Sequence, residues 1–379
     1  MRLRSDSQRR WFDLLVGLRP FFYLQIRIVS IRVQSGLISA PSENSVARVV
    51  FVHRRASGAQ LSIERLFGQL REAMGESVSS RIHIAPHAGG GILRRVANLL
   101  AARRACGGSV IAHITGDVHY LALGLAGKRT VLTIHDCGVL HRLGGWRRAI
   151  VRKLWYEWPV RRAAVVTTIS EATKRDLSNW LPQGAAAKIR VVPNCVGPEF
   201  IPSTKVFDEK SPHFLQVGAG WNKNLERVVE ALEGTGARLT VVGPVDPARQ
   251  RRLTEGGVAV RFLGRINDDQ LVRVYQDCDA LIFASLFEGF GMPIVEAQAT
   301  GRPVITSNRS AMPEVAGKGA LLVDPEDVDA IRSAIIRLRD DAGLRGRLVE
   351  DGFLNVARFR AETIAGQYVE IYRELAAGI

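Results

Sequence analysis

Cysteine is scarce: Cys106, Cys137, Cys195 and Cys278 are the four in 379 residues, far apart and with no Cys-x-x-Cys pair among them. That argues against a thiolate zinc cluster and against a disulfide framework; the four read as small buried hydrophobes of a chain kept in a reducing cytoplasm. Long apolar runs are missing as well. No stretch reaches the roughly eighteen uncharged residues of a spanning helix, even among residues 1–45, where Arg19, Arg27 and Arg32 interrupt the runs around Trp11, Phe12, Phe21, Phe22 and Tyr23. Nor does a clean apolar core end in a small-residue cleavage site, so no signal peptide is expected. That segment is left as an interfacial anchor, a basic arm or a disordered stretch.

Acidic residues are in short supply. Asp and Glu number 37 against 52 Lys and Arg, for a formal charge of +15 and a pI near 10.3. Such an excess attracts nucleic acid, anionic lipid or phosphorylated substrates, and charge alone does not choose among them. It is concentrated in the first half: residues 1–60 carry ten Arg against three acids, and residues 142–162 carry seven Arg or Lys against Glu157. The second stretch interleaves Trp146, Trp155, Tyr156 and Trp158 with its cations, a mixture that suits a helix resting between headgroups and acyl chains, an RNA face or a solvated basic surface.

The rest of the chain is rich in alternating apolar runs and helical patterns. At this length two domains of about 150–200 residues are expected. Short apolar runs at 48–53, 110–113, 130–136, 165–169 and 189–193 read as buried parallel strands. A polar stretch at 198–212 reads as a linker. A second set follows at 213–218, 239–243, 260–264 and 280–284, with 301–306, 310–315 and 321–325 finishing the sheet and helices running to the end. The fold class is α/β with two doubly wound, Rossmann-like domains. Their expected bounds are 47–205 and 206–360, after a basic extension at 1–46 and before a last segment at 361–379.

One stretch concentrates the chemistry. Residues 288–304 read Glu-Gly-Phe-Gly-Met-Pro-Ile-Val-Glu-Ala-Gln-Ala-Thr-Gly-Arg-Pro-Val, directly behind the apolar run 280–284. That is strand, glycine loop and helix, with Pro293 where a helix start tolerates proline. Glu288 is expected at the carboxyl end of the strand and Glu296 in the first turn of the helix, near its exposed N–H groups. In open α/β sheets such crevices bind ligands; a helix start that attracts phosphate, beside a carboxylate for sugar hydroxyls, suits a nucleotide sugar. Gly218-Ala-Gly220-Trp-Asn-Lys223-Asn opens another helix, where glycines let a diphosphate reach backbone N–H groups and Lys223 adds a point charge. In the first half, His113, Asp117 and His119 cluster at a strand end as acceptor-site candidates, with Asp117 alternatively a helix cap. His135 and Asp136 close the run from Thr130.

Glu288-Gly-Phe-Gly-Met-Pro with Glu296-Ala and Gly301-Arg-Pro-Val resembles the Glu-x7-Glu signature of retaining glycosyltransferases of family GT4, which have the two-domain GT-B fold. The similarity extends through His135-Asp136, Thr168-Ile-Ser-Glu171 and Val192-Pro-Asn-Cys195-Val196 and covers about residues 47–377. It implies that Glu296 binds the ribose, that Glu288 contacts the donor sugar and that His135 lies beneath the anomeric centre, with Lys223 stabilising the leaving diphosphate. The implied nucleotide-sugar site is Gly58, Gly218, Gly220, Lys223, Arg265, Ile266, Glu288, Gly289, Phe290, Gly291, Met292 and Glu296, and the acceptor side is Asp117, His119 and Asp136. A second phosphate-binding arginine usual in the family is missing, since Ala219 and Asn222 occupy its places, and Arg265 is the substitute to test.

No Asp-x-Asp stands at a strand end, so catalysis without metal or cofactor is expected, with helix dipoles and Lys223 meeting the developing charge. The implied reaction moves a hexose, with mannose carried on GDP as one candidate, from a nucleotide-diphosphate sugar to a lipid-linked or polysaccharide acceptor. The enzyme would stand in the cytoplasm or peripherally on an anionic membrane, with no nucleic acid partner. The last helix is expected to cross back to the first domain. The rival readings are a non-hydrolysing sugar-nucleotide epimerase and a non-catalytic basic module that binds membrane or RNA.

Overall fold

The computed structural model describes residues 46–55, 62–88, 91–108 and 110–378. Gly58 and the basic segment 1–45 lie outside the described residues.

Six strands form the first sheet: β1 (Ala47–His53), β2 (Val78–Ile84), β3 (Ile111–Ile114), β4 (Thr130–Ile134), β5 (Val165–Thr168) and β6 (Ile189–Val191). All pair in parallel, in the order β2-β1-β3-β4-β5-β6. β3, β4 and β5 are buried at every position, as a parallel sheet covered on both faces requires. β2, Val-Ser-Ser-Arg-Ile-His-Ile, is mostly exposed because it lies at the edge, which is why no apolar run announced it.

The second sheet contains β7 (His213–Val217), β8 (Arg238–Val242), β9 (Ala259–Gly264), β10 (Ala280–Phe283), β11 (Val304–Ser307) and β12 (Ala320–Val323), again parallel, in the order β12-β11-β10-β7-β8-β9. The strand expected at 310–315 is a short helix, Met312–Ala316. Pro313 explains the correction: it fits a helix's first turn, whereas its missing N–H would break a sheet ladder.

Seven helices matter below: α1 (Ser62–Met74), α2 (Ile92–Ala105), α3 (Gly145–Val151), α4 (Glu171–Trp180), α5 (Asp268–Asp277), α6 (Met292–Ala299) and α7 (Ala361–Ala377). α3 continues through one π-helical stretch, Arg152–Glu157, into Trp158–Arg162. Among the described residues no helix is long and apolar enough to cross a membrane.

Chain order reverses between β1 and β3 in the first sheet and between β7 and β10 in the second. Loops that leave neighbouring strands in opposite directions open a crevice at such a point. The loops after β7 and β10 carry Lys223 and Glu288; those after β1, β3 and β4 carry Arg54, Asp117 and His135.

The chain leaves the first sheet through residues 192–212 and returns through 357–360, and the two crossings touch where the Val196 N–H donates to the Phe359 carbonyl at 2.8 Å. α7 then packs on α1 and β1, burying Ile364, Tyr368 and Tyr372 with Phe51 and Phe67. Large apolar side chains of this kind each contribute about 1.5–3 kcal/mol when fully buried. His113 belongs to this core and not to the acceptor side: it is fully buried, with Nδ1 2.6 Å from the Tyr372 hydroxyl and Nε2 2.7 Å from Thr133 Oγ1.

Candidate active site

From the second sheet come the charged groups. Gly218 follows β7 directly at φ +92°, and its missing Cβ is what lets the Lys223 side chain lie across it, because a Cβ there would stand 2.7 Å from Lys223 Cε. The turn closes as the Lys223 N–H donates to the Gly220 carbonyl at 2.9 Å. Lys223 Nζ is thereby placed 2.7 Å from Glu288 Oε1 and 4.4 Å from the centre of the Phe283 ring. Asn222 Nδ2 donates to the same carboxylate oxygen at 3.1 Å and to the Phe287 carbonyl at 2.9 Å. Both charged side chains are mostly buried, and a pair so placed is held by hydrogen bonds as much as by Coulomb attraction. Asn222, absent from the expected site, is therefore the residue that orients Glu288.

Glu296 sits in the second turn of α6, not the first, because α6 begins at Met292. The helix start therefore does not hold its carboxylate. Tyr275 of α5 does, donating from its hydroxyl to Glu296 Oε2 at 2.7 Å. Burial nevertheless outweighs that bond and pushes the Glu296 carboxyl up to about 7. Arg65 of α1 pulls it the other way from across the crevice, where its guanidinium reaches Asp268 at 2.5 Å and also pairs with Glu199. Neither Tyr275 nor Arg65 was foreseen: a tyrosine and an arginine on amphipathic helices carry no motif.

The two halves meet at Gly289. A Cβ on Gly289 would stand 2.4 Å from the His135 carbonyl oxygen, so only glycine fits. Its own carbonyl accepts from Ser170 Oγ at 2.7 Å and Thr173 Oγ1 at 3.0 Å, the cap and first turn of α4. His135 itself is buried, and its Nε2 lies 2.8 Å from the Thr115 carbonyl. A carbonyl only accepts, so Nε2 carries the proton and Nδ1 the lone pair. Burial lowers the His135 pKa and keeps the ring neutral.

The remaining motif residues divide. Gly291 adopts φ +107° at the start of α6. Phe290 is buried edge-to-face on Phe359 at 5.5 Å and faces the core, and Met292 and Ile266 are half-buried against the same cluster. Arg265 is exposed just beyond β9. On the acceptor side Asp117 caps no helix: the following turn, His119–Gly124, has no side-chain cap, and Asp117 pairs with Arg54 at 3.1 Å. Asp136 is exposed and accepts from the Gly138 N–H at 2.7 Å. Asp117, His119 and Asp136 line one cavity of about 490 Å³, reaching to Arg95, Arg142 and the 150–156 stretch. Among the described residues no three His, Cys, Asp or Glu side chains are grouped to hold a metal ion.

Two family models match, "Glycosyltransferase Family 4" over residues 47–200 and "Glycosyl transferases group 1" over 199–354. The chain is 35% identical over 116 residues to O-antigen chain mannosyltransferase B of Escherichia coli, covering 31% of this chain and 30% of that one. It is 28% identical to O-antigen chain mannosyltransferase RfbU of Salmonella typhimurium, over 55% and 60% of the two chains. The matches thus span about a third to three fifths of the lengths of these relatives. In fold the chain is similar to sucrose-phosphate synthase of Thermosynechococcus elongatus, with a TM-score of 0.70, 20% identity and coverage of 88% of this chain and 100% of that one. It is likewise similar to WaaG, a glycosyltransferase involved in lipopolysaccharide biosynthesis, with a TM-score of 0.65, 16% identity and coverage of 86% and 99%. With both halves matched by successive family models and two parallel sheets facing each other across the Gly289 junction, the chain belongs to the GT4 glycosyltransferases of GT-B fold.

Proposed function

We propose that this glycosyltransferase is retaining and metal-independent, and that it moves mannose from a nucleotide-diphosphate sugar to a lipid-linked or polysaccharide acceptor. The observation that carries the reading is the Lys223–Glu288 pair, 2.7 Å apart at the end of the loop whose Gly289 rests on the backbone of His135. On this assignment Glu296 accepts the ribose hydroxyls. Lys223 exchanges Glu288 for the diphosphate, and its charge stabilises the leaving group where an Asp-x-Asp enzyme would use a cation. Glu288, freed of Lys223 and still held by Asn222, turns to the sugar hydroxyls. Neutral His135 presents a carbonyl and a lone pair to the face beneath the anomeric carbon without adding charge of its own. Mannose is supported by the two O-antigen mannosyltransferase relatives.

An anionic membrane surface is the second part of this reading. Trp146 and Trp158 are 70% and 46% exposed beside the cations of 142–162, and Ile92 and Leu93 of α2 are 78% and 86% exposed. Trp155, expected on that surface, is turned inward against Tyr120 at 5.1 Å.

The test is a donor screen with GDP-mannose, UDP-glucose and ADP-glucose in EDTA, with a membrane lipid extract as acceptor source. Release of GDP with formation of a mannosylated lipid that keeps the donor's anomeric configuration is expected. Interconversion of the sugar nucleotide without release of free diphosphate would identify an epimerase instead. A donor at a hundred times its dissociation constant also stabilises the fold by about 2.7 kcal/mol, so thermal shift ranks the donors independently of the acceptor.

A further inference from the structure

Glu314 stands among the elements of the second sheet, yet its carboxylate caps a helix of the first. α4 starts at Glu171 behind Ser170, whose Oγ accepts from the Thr173 N–H at 3.0 Å, and its first helical bond runs from the Lys174 N–H to the Ser170 carbonyl at 3.0 Å. That leaves the N–H groups of Glu171 and Ala172, which have no partner within the helix. Both donate to Glu314, at 2.8 Å to Oε1 and at 3.3 Å to Oε2. A carboxylate at this place also faces the positive end of the α4 dipole. The cap is therefore shared: Ser170 satisfies one donor of the first turn, and a residue 143 positions along the chain satisfies the other two.

The same turn of α4 grips the second half at another point. Ser170 Oγ and Thr173 Oγ1, both buried, donate to the Gly289 carbonyl at 2.7 and 3.0 Å. Ser310 joins the two points from behind. Its Oγ donates to the Glu288 carbonyl at 2.6 Å, and it lies two residues before the short helix Met312–Ala316 that carries Glu314. Ser310 adopts φ +54°, a left-handed conformation that residues other than glycine seldom enter, so its backbone is held by these contacts and not by its own preference. The Glu288-Gly289 loop, the first turn of α4, Glu314 and Ser310 thus form a closed ring of hydrogen bonds across the two halves.

We infer that Glu314 is a positioning residue for the transfer step: by capping α4 from the opposite half, it seats the loop that bears Glu288 against the strand end at His135. This rests on the reading of Glu288 and His135 given above. Glu314 acts through α4 and Ser310. Nucleotide affinity, which that reading assigns to Lys223 and Glu296 within the second half, does not depend on it. Turnover, which needs groups of both halves in register, does.

The test compares Glu314→Ala, Glu314→Gln and Asp341→Ala. Asp341 caps the helix Ala342–Val356 by accepting from the Leu344 N–H at 2.8 Å, so its replacement removes a helix cap that is no part of the ring. Glutamine at 314 keeps an oxygen for the Glu171 N–H but sets its own NH2 group against the Ala172 N–H, and it carries no charge. Turnover of the donor that the screen selects should fall at least about tenfold in Glu314→Ala and by less in Glu314→Gln, since a displacement of about 1 Å at a reacting group costs about a hundredfold. Calorimetric affinity for GDP and UDP should be the same in all three as in the unmodified chain, which also shows them folded. Asp341→Ala should lose melting temperature and keep its turnover. Hydrogen exchange followed by mass spectrometry reads the link without any substrate: Glu314→Ala should quicken exchange at 171–173 and also at 286–291, and Asp341→Ala at neither. Turnover in Glu314→Ala equal to that in Asp341→Ala, or exchange that quickens at 171–173 alone, would overturn the assignment. An unmodified chain that turns over no donor would sink the transferase reading, and the exchange pattern would still decide whether Glu314 holds the Glu288 loop.

Discussion

Replacing Gly289 by alanine tests the junction on which the site depends. The added Cβ would stand 2.4 Å from the His135 carbonyl oxygen and 3.3 Å from Asp136 Cβ. The first of these is backbone at the end of a buried strand and cannot swing aside, so the loop must retreat by roughly 1 Å to reach an ordinary carbon–oxygen contact, a typical overpacking response. That retreat stretches the bonds from Ser170 Oγ and Thr173 Oγ1 to the Gly289 carbonyl, now 2.7 and 3.0 Å. Two hydrogen bonds at about 0.5–1.5 kcal/mol each, with overpacking strain of about 1–3 kcal/mol, give a loss of about 2–6 kcal/mol. Glu288, one residue away, would move with the loop relative to His135, and a 1 Å misplacement of a reacting group costs about a hundredfold in turnover. Gly346 supplies the control. It lies exposed in the helix Ala342–Val356 with nothing within 4 Å of its missing Cβ, so Gly346→Ala should stabilise by about 0.5–1 kcal/mol. Differential scanning calorimetry should show shifts of opposite sign, and turnover should fall only in Gly289→Ala. A Gly289→Ala chain with unchanged melting temperature and turnover would refute the account of the junction.

If Glu296 holds the ribose as proposed, its raised carboxyl makes nucleotide binding dependent on pH. On that assignment the ionised form accepts the ribose hydroxyls, so nucleoside diphosphate affinity should fall about tenfold per unit as pH drops below about 7, and Glu296→Gln should flatten the profile in calorimetry. The sign for stability is opposite: a carboxyl whose folded pKa is raised contributes fully below its ordinary value of 4.5, and that contribution is lost as pH rises through about 7. Lys223→Gln should lower turnover by about 10²–10³ through loss of charge stabilisation on the diphosphate, while EDTA leaves the unmodified enzyme active; chelator inactivation rescued by Mg2+ would refute this. Residues 142–162 carry seven cations against Glu157, each worth about 1 kcal/mol near an anionic leaflet, so the chain should float with anionic but not zwitterionic vesicles. Changing Arg147, Arg148, Arg152 and Lys153 to Gln should weaken flotation in chains with and without residues 1–45, and no change in the shorter chain would show a merely solvated face.

The two sheets were legible because buried parallel strands are continuous apolar runs, and Ala280–Phe283 or Val165–Thr168 can hardly be read otherwise. β2 was not, since an edge strand with four polar residues in seven looks like a loop. Residues 310–315 were misread because Ala311, Met312 and Val315 are as buried as a strand would be, and only Pro313 argued against it. At the site, glycines and charged residues next to strand ends declared themselves: Lys223 and Glu288 are in contact, and Gly289 is tight against His135. What stayed hidden came from elsewhere in the chain. Tyr275 lies 21 residues from Glu296, and His113 reads as a site residue until α7, 259 residues away, delivers Tyr372 to it. Partnerships across such separations leave no local pattern.

Phe290 has a consequence for motion. Its ring stands edge-on to Phe359, beside the place where the two crossings are joined by the Val196–Phe359 hydrogen bond. A single crossing is a swivel and lets two bodies twist freely; two crossings fastened side by side behave as a door hinge, with one bending axis and little torsion. The aromatic of Glu288-Gly-Phe-Gly is thus the hinge pin's neighbour, one residue from Gly289 and two from Glu288. A swing of one half against the other about these paired crossings would therefore act on the loop that holds Glu288 through the Phe290–Phe359 contact.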